Sequence, residues 1–202
     1  MEQYKKILRK YLPPESVDSI IIWLIKYRIH LHVSRKRMTK LGDFRPVCDT
    51  RPHKVTVNHN LNRYAFLITL IHEIAHVEVW EEFGNSVKPH GKEWKKAFRQ
   101  LMSPFIMNKF FPGELDSAVR KYTENALASS GSDLNLSRLL KKYDADQGIT
   151  LEELPGVSIF RIYNGRTFKK LEKSRKRYRC LCLDNHKIYL FNPMVIVTPV
   201  ND

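Results

Sequence analysis

His72, Glu73 and His76 stand in the run Ile71-His72-Glu73-Ile74-Ala75-His76-Val77, and their types and spacing suit metal-assisted hydrolysis. Histidines four apart on a helix share one face, a turn apart, so both imidazoles can reach one metal ion. Glu73 follows the first of them. It is too close to that ligand in sequence to share the metal comfortably, but it is placed to take a proton from water there. Core histidines bonded to backbone groups are the competing reading.

The flanking residues must form a helix for this to work. Tyr64 to Val79 contains no Gly or Pro, and Leu67, Ile68, Ile71, Ala75 and Val79 keep helical spacing. Asn60 or Asn62 can cap its start, and Gly84 supplies a stop. The segment is apolar nearly all round, which predicts a buried helix. A buried helix that still carries His, Glu and His has to satisfy those groups.

A catalytic zinc site takes three protein ligands and keeps one position open. Six residues after His76, where one motif variant has its third histidine, stands Glu82. The next histidine is His90, in Val87-Lys88-Pro89-His90-Gly91-Lys92-Glu93-Trp94. Pro89 fixes the approach, Gly91 lets backbone come close, and Trp94, Ala97, Phe98 and Leu101 begin a second amphipathic helix. A turn at Gly84 and a short return loop can bring His90 back beside the pair. Glu78, Glu81 and Glu82 compete with it: Glu78 points to another face of the helix, and the other two suit solvent.

His72-Glu73-x-x-His76 followed by His90-Gly91-x-x-Trp94 resembles the SprT-like (Spartan-related) metallopeptidase family. The stretch from Ser34 to Gly42, Ser-Arg-Lys-Arg-Met-Thr-Lys-Leu-Gly, is similar to that family's lead-in, and the extended Lys54-Val55-Thr56-Val57-Asn58 follows it. The likeness spans roughly residues 30 to 105. It implies that His72, His76 and His90 bind one catalytic Zn2+ and that Glu73 is the catalytic glutamate. It also implies a zincin-like domain that hydrolyses peptide bonds of protein substrates, among them DNA-associated or DNA-crosslinked proteins, and so a place in DNA repair. Asn58, His59 and Tyr64, just before the metal helix, are candidates for orienting groups, while Trp94 reads as packing beside His90.

The expected fold is α+β. A mainly helical metalloprotease domain covers 1–128, a linker and short helix 129–155, and a basic β-rich domain 156–202. Helices are expected near 2–11, 15–30, 64–79, 92–103, 114–128 and 135–143. Residues 31–58 read as extended and irregular with a strand near 54–58, and Pro104 and Pro112-Gly113 as breaks. Strands are expected near 157–163, 166–172, 177–183, 186–191 and 194–198, with hairpin turns at Asn164-Gly165 and Asp184-Asn185. The longest apolar run, Ile20 to Ile25, is far short of the ~20 residues of a membrane span, and the N-terminus lacks a signal-peptide core. Three cysteines, Cys48, Cys180 and Cys182, give no disulfide framework. A cytoplasmic protein with no membrane partner is the simplest expectation.

Net charge is +14 with pI near 9.7, which points to polyanionic partners. Residues 156–202 hold ten Lys or Arg and three acids, a net +7 that is half of the chain's excess. Arg161, Arg166, Lys169, Lys170, Arg175, Lys176, Arg177 and Arg179 alternate there with Phe160, Tyr163, Phe168, Tyr178, Tyr189 and Phe191. Phosphate contacts and rings that stack on bases suit DNA, single-stranded in particular. A small sheet with an ordinary solvated basic face is the competing reading. A nucleic-acid-binding regulatory module with a structural or vestigial zinc site is therefore the alternative function.

Tyr178-Arg179-Cys180-Leu181-Cys182 resembles the first knuckle of the zinc ribbon that many SprT-like proteins carry. Phe191 to Val195 stands where the second cysteine pair belongs. His186 can add a third ligand, but a fourth requires Cys48 to fold over. The tail thus reads as a ribbon-like sheet that has lost its metal. Asp144-Ala145-Asp146-Gln147-Gly148 fails as a calcium loop, since its glycine comes one place early and Pro155 replaces the bidentate glutamate.

Overall fold

The computed structural model describes residues 2–47, 51–127 and 130–200. The chain divides into two compact units, Met1–Ala145 and Asp146–Asp202. Among the described residues there are six α-helices and two sheets, an α+β fold.

The first unit begins with α1 (Glu2–Leu8) and α2 (Val17–Lys26). The helix expected over 15–30 stops at Lys26. Beyond the turn at Arg28 (φ 48°), Ile29-His30-Leu31-His32-Val33 alternates apolar and polar, and this period of two wins as β1 (Ile29–Ser34). β2 (Gly42–Arg45) and β3 (His53–Asn58) complete a three-stranded sheet in the order β1-β3-β2. β3 is parallel to β1 and antiparallel to β2. Val55 and Val57 are fully buried in it.

The helix that carries His72, Glu73 and His76 is α3 (Arg63–Phe83). Asn62 caps it, its side chain accepting from the Ala65 N–H at 2.9 Å, and Gly84 (φ 56°) ends it. Every residue from Phe66 to Ala75 is buried. Each fully buried Leu, Ile or Phe contributes about 1.5–3 kcal/mol, which offsets the cost of holding His72 and Glu73 in the same stretch.

α4 (Lys92–Met107), α5 (Glu114–Glu124) and α6 (Leu134–Lys141) follow. Pro104 does not break α4 as expected. It removes one backbone donor, but Phe105 is buried with its ring against Trp23 and Phe110, which anchors the last turn. Residues 129–155 hold α6, in the first unit's core through Leu136 and Leu140, and also Leu151 and Leu154, in the second's. Ser129 and Cys48 lie outside the described residues.

The second unit is an antiparallel sheet of β4 (Ile159–Arg161), β5 (Thr167–Ser174), β6 (Arg177–Cys182), β7 (Ile188–Phe191) and β8 (Thr198–Pro199), in the order β7-β6-β5-β4-β8. The expected turns form, with Gly165 at φ 83° and His186 at φ 55°. The strand expected over 194–198 is reduced to a bridge between Thr150 and Ile196 and the short β8. None of the described helices is long and apolar enough to cross a membrane.

Candidate metal centre

His72 and His76 share one face of α3, their ring centroids 5.1 Å apart. His90 reaches them from the tight turn before α4, where the Gly91 N–H donates to the Lys88 carbonyl at 3.0 Å. A Cβ on Gly91 would sit 2.9 Å from that carbonyl oxygen, so the turn needs glycine. His90 itself takes φ 58°, a conformation uncommon for a non-glycine residue.

The three rings converge. His90 Nε2 lies 3.1 Å from His72 Nε2 and 3.0 Å from His76 Nε2. Ligand nitrogens around a tetrahedral zinc with Zn–N near 2.0–2.1 Å are about 3.3 Å apart, so both of these spacings come within a few tenths of an ångström of that, and all three ligand atoms lie within 4.8 Å of one another. Burial pushes the His72 and His76 pKa values down to about 3 and lowers that of His90. Neutral imidazoles are the metal-binding form. Trp94, fully buried on α4, packs at 4.5 Å from His72 and 4.8 Å from His90, and its Nε1–H donates to the His72 carbonyl at 3.4 Å.

Among the described residues this is the one group of three or more potential ligands drawn together. The competing carboxylates are occupied or elsewhere. Glu78 accepts from the Tyr27 hydroxyl at 3.0 Å, and Glu81 meets His53 Nε2 at 2.6 Å. Glu82 lines a separate cavity with Lys92 and Lys96.

Glu73 shares a cleft of about 280 Å³ with the histidines, Gly42, Asp43 and Phe44. Burial, with a smaller contribution from the Asp43 charge, pushes its carboxyl up to about 8. Arg37 and Lys40 pull the other way.

Residues 23–118 match the model of the SprT-like family, a span that holds all three histidines, Glu73 and Gly42. The chain carries a SprT-like domain. No curated protein and no solved structure matches the chain.

The SprT-like domain has a feature that the sequence named without its reason. At Gly42 an added Cβ would stand 2.3 Å from Glu73 Oε1 and 2.8 Å from Thr69 Cγ2. The strand therefore presses on the glutamate, and only glycine leaves the carboxylate its place. Gly42→Ala is expected to cost about 1–3 kcal/mol of stability through overpacking. A displacement of about 1 Å at Glu73 should lower any hydrolytic rate about 10²-fold. Zinc content, measured beside thermal unfolding and cleavage, should stay at the wild-type level, and a variant as active and stable as wild type would remove this role for Gly42.

Of the proposed orienting groups, none meets the histidines. Asn58 is a staple for the loop ahead of β2: its Nδ2 donates to the Arg37 and Lys40 carbonyls at 3.0 Å each, and its Oδ1 accepts from Arg37 Nε at 2.8 Å. His59 is exposed, and Tyr64 packs on Phe111 and Tyr143.

The basic set in the second unit is split. Lys170 is buried and donates from Nζ to the Leu154 carbonyl at 2.6 Å, over the Tyr178 ring. Arg166 hydrogen-bonds Cys182 Sγ and Tyr189 Oη, and Arg179 pairs with Glu172 at 2.6 Å. Arg161, Arg175, Lys176 and Arg177 are exposed, and Lys169 is half-buried. The aromatics expected to stack on bases are largely committed to the core, where Phe160, Phe168, Tyr189 and Phe191 pack on one another; Tyr163 is exposed. Cys180 and Cys182 are fully buried there too, and burial pushes the Cys180 thiol up to about 11. The period-two pattern of β6 turns both thiols inward.

Proposed function

We propose that the SprT-like domain is a zinc-dependent metallopeptidase that hydrolyses peptide bonds of protein substrates. The observation that carries this reading is the convergence of three neutral imidazoles beside a buried carboxylate on the same helix, in an open cleft. His72, His76 and His90 hold the ion. When bound, Zn2+ supplies a Lewis acid that lowers the pKa of water toward about 7 and polarises the scissile carbonyl. Glu73 takes the proton at a carboxylate oxygen and returns it to the leaving amine. Its burial makes it a stronger base than an exposed glutamate.

Two features support access for a chain-like substrate. β2 borders the cleft through Gly42, Asp43 and Phe44, and it is an edge strand of its sheet. An extended peptide can pair with such an edge and lay its backbone across the histidines. A purely structural zinc site would require a fourth protein ligand, and among the described residues none joins the three histidines. That weighs against the regulatory-module alternative. Proteins bound or crosslinked to DNA are the proposed substrate class, supported by the net charge of +14.

The test is chelator-reversible cleavage of an unfolded protein, alone and loaded onto DNA. Cleavage should stop on metal removal and return with stoichiometric Zn2+. Zinc-loaded protein that cuts neither substrate would sink the reading.

A further inference from the structure

The outer face of the first unit's sheet carries a row of basic side chains that the metal centre does not use. Strand register creates it: His30 lies opposite Lys54, and Lys54 lies opposite Arg45. The residues alternating with them, Ile29, Leu31, Val55 and Phe44, belong to the core on the other face. All three basic residues are exposed. They stand in a line about 10 Å long, two interstrand spacings.

The adjacent row is His32, Thr56 and Asp43. Its one carboxylate is shared among three cations, Lys40 at 2.6 Å, Arg45 at 3.0 Å and Arg37 at 4.0 Å. One acid cannot neutralise them all. Lys54 and Arg45 are like charges directly opposite on an antiparallel pair, an arrangement that costs stability unless an anion covers it. Arg37 is fixed by the Asn58 staple, so part of the charge is held in place before any partner arrives. Neither row contains an apolar side chain, which argues against insertion into a membrane.

We propose that this face binds the phosphate backbone of a nucleic acid. Long cationic side chains in a line across a sheet match a polyanion of regular charge, and His30 and His32 add ring N–H donors beside them. β2 lies between this face and the metal cleft: Arg45 belongs to the outer row while Gly42 and Phe44 border the histidines. Nucleic acid held here would keep a protein attached to it within reach of the cleft. The proposal deepens the DNA association above by giving it a surface, and it does not depend on peptide hydrolysis.

The experiment is a salt titration of binding to a fluorescent single-stranded oligonucleotide and to its duplex, using the full chain. The Arg45→Gln/Lys54→Gln double variant removes two charges from the row. Its affinity for the single strand should fall about tenfold at 0.1 M salt, and the slope of log K against log salt should shrink by about 1.4. Unchanged thermal unfolding and zinc content establish that it folds. Arg175→Gln/Lys176→Gln, at the β5–β6 hairpin tip, should change both much less. If the hairpin variant loses binding and the sheet variant keeps it, the second unit is the reader and this proposal falls, while DNA association stands. Failure of wild type to bind either oligonucleotide overturns both. Competition by polyglutamate as effective as that by DNA would indicate an acidic protein partner and also overturn it.

Discussion

On the proposed peptidase reading, Glu73→Gln should lower the rate of peptide-bond cleavage by about 10²–10⁴-fold, the span attributable to a positioned acid–base group, while zinc content should stay at the wild-type level. The physical reason is that Gln fills the same space under Gly42 but offers no site for the proton. The substitution also removes a titratable group from a buried position, so the metal-free protein should gain stability above neutral pH. Both effects come from one side chain and are read by different instruments, a cleavage assay and a thermal melt. An active Glu73→Gln enzyme would move the base elsewhere in the cleft.

The second large effect is on the metal. His90→Ala should reduce bound zinc from about one ion per chain, the occupancy of a three-ligand site, to a small fraction of that, and abolish cleavage with it. The same site sets a pH signature in the metal-free protein. His72 and His76 hold pKa values of about 3 against an ordinary 6.5. The unfolded chain thus takes up protons that the folded chain refuses, and stability drains as pH falls below 6.5. Glu73, at about 8 against an ordinary 4.5, acts in the opposite sense, and its contribution is lost as pH rises from 4.5 to 8. Between 4.5 and 6.5 two imidazoles outweigh one carboxyl, and above 6.5 the carboxyl acts alone. The metal-free melting temperature should therefore peak near pH 6.5. Zinc, which needs neutral imidazoles and favours an ionised Glu73, should flatten the decline above that pH. A metal-free melt that climbs steadily from pH 6.5 to 8 would show that Glu73 is not held in this environment.

What could be read from the chain followed the range of the interactions involved. Helix α3 was legible because caps, stops and periodicity act within a few residues: Asn62 and Gly84 bound it as expected, and the four-residue spacing fixes His72 and His76 on one face. The hairpin turns at Asn164-Gly165 and Asp184-Asn185 were legible for the same reason. The break expected at Pro104 failed because a distant contact, Phe105 on Trp23, outweighs one lost backbone bond.

The aromatic–basic alternation in the tail was real, but alternation alone does not say which face is covered. Packing put Phe160, Phe168 and Phe191 inside, took Lys170 with them, and tied the part-exposed Arg166 to Cys182 and Tyr189 at the edge.

By itself, then, the sequence determined the pair of histidines, the glutamate between them and the segments able to carry them, because these depend on local geometry. His90 was legible as a candidate among Glu78, Glu81 and Glu82, and its motif favoured it. Only the tertiary structure brought it to the pair, with His90 Nε2 at 3.1 Å from His72 Nε2 and 3.0 Å from His76 Nε2 while Glu78 and Glu81 meet other partners. It alone also set Gly42 against Glu73 and aligned His30, Lys54 and Arg45 across three strands. Those contacts join residues far apart in the chain, where strand register and side-chain packing, rather than spacing, choose the neighbours.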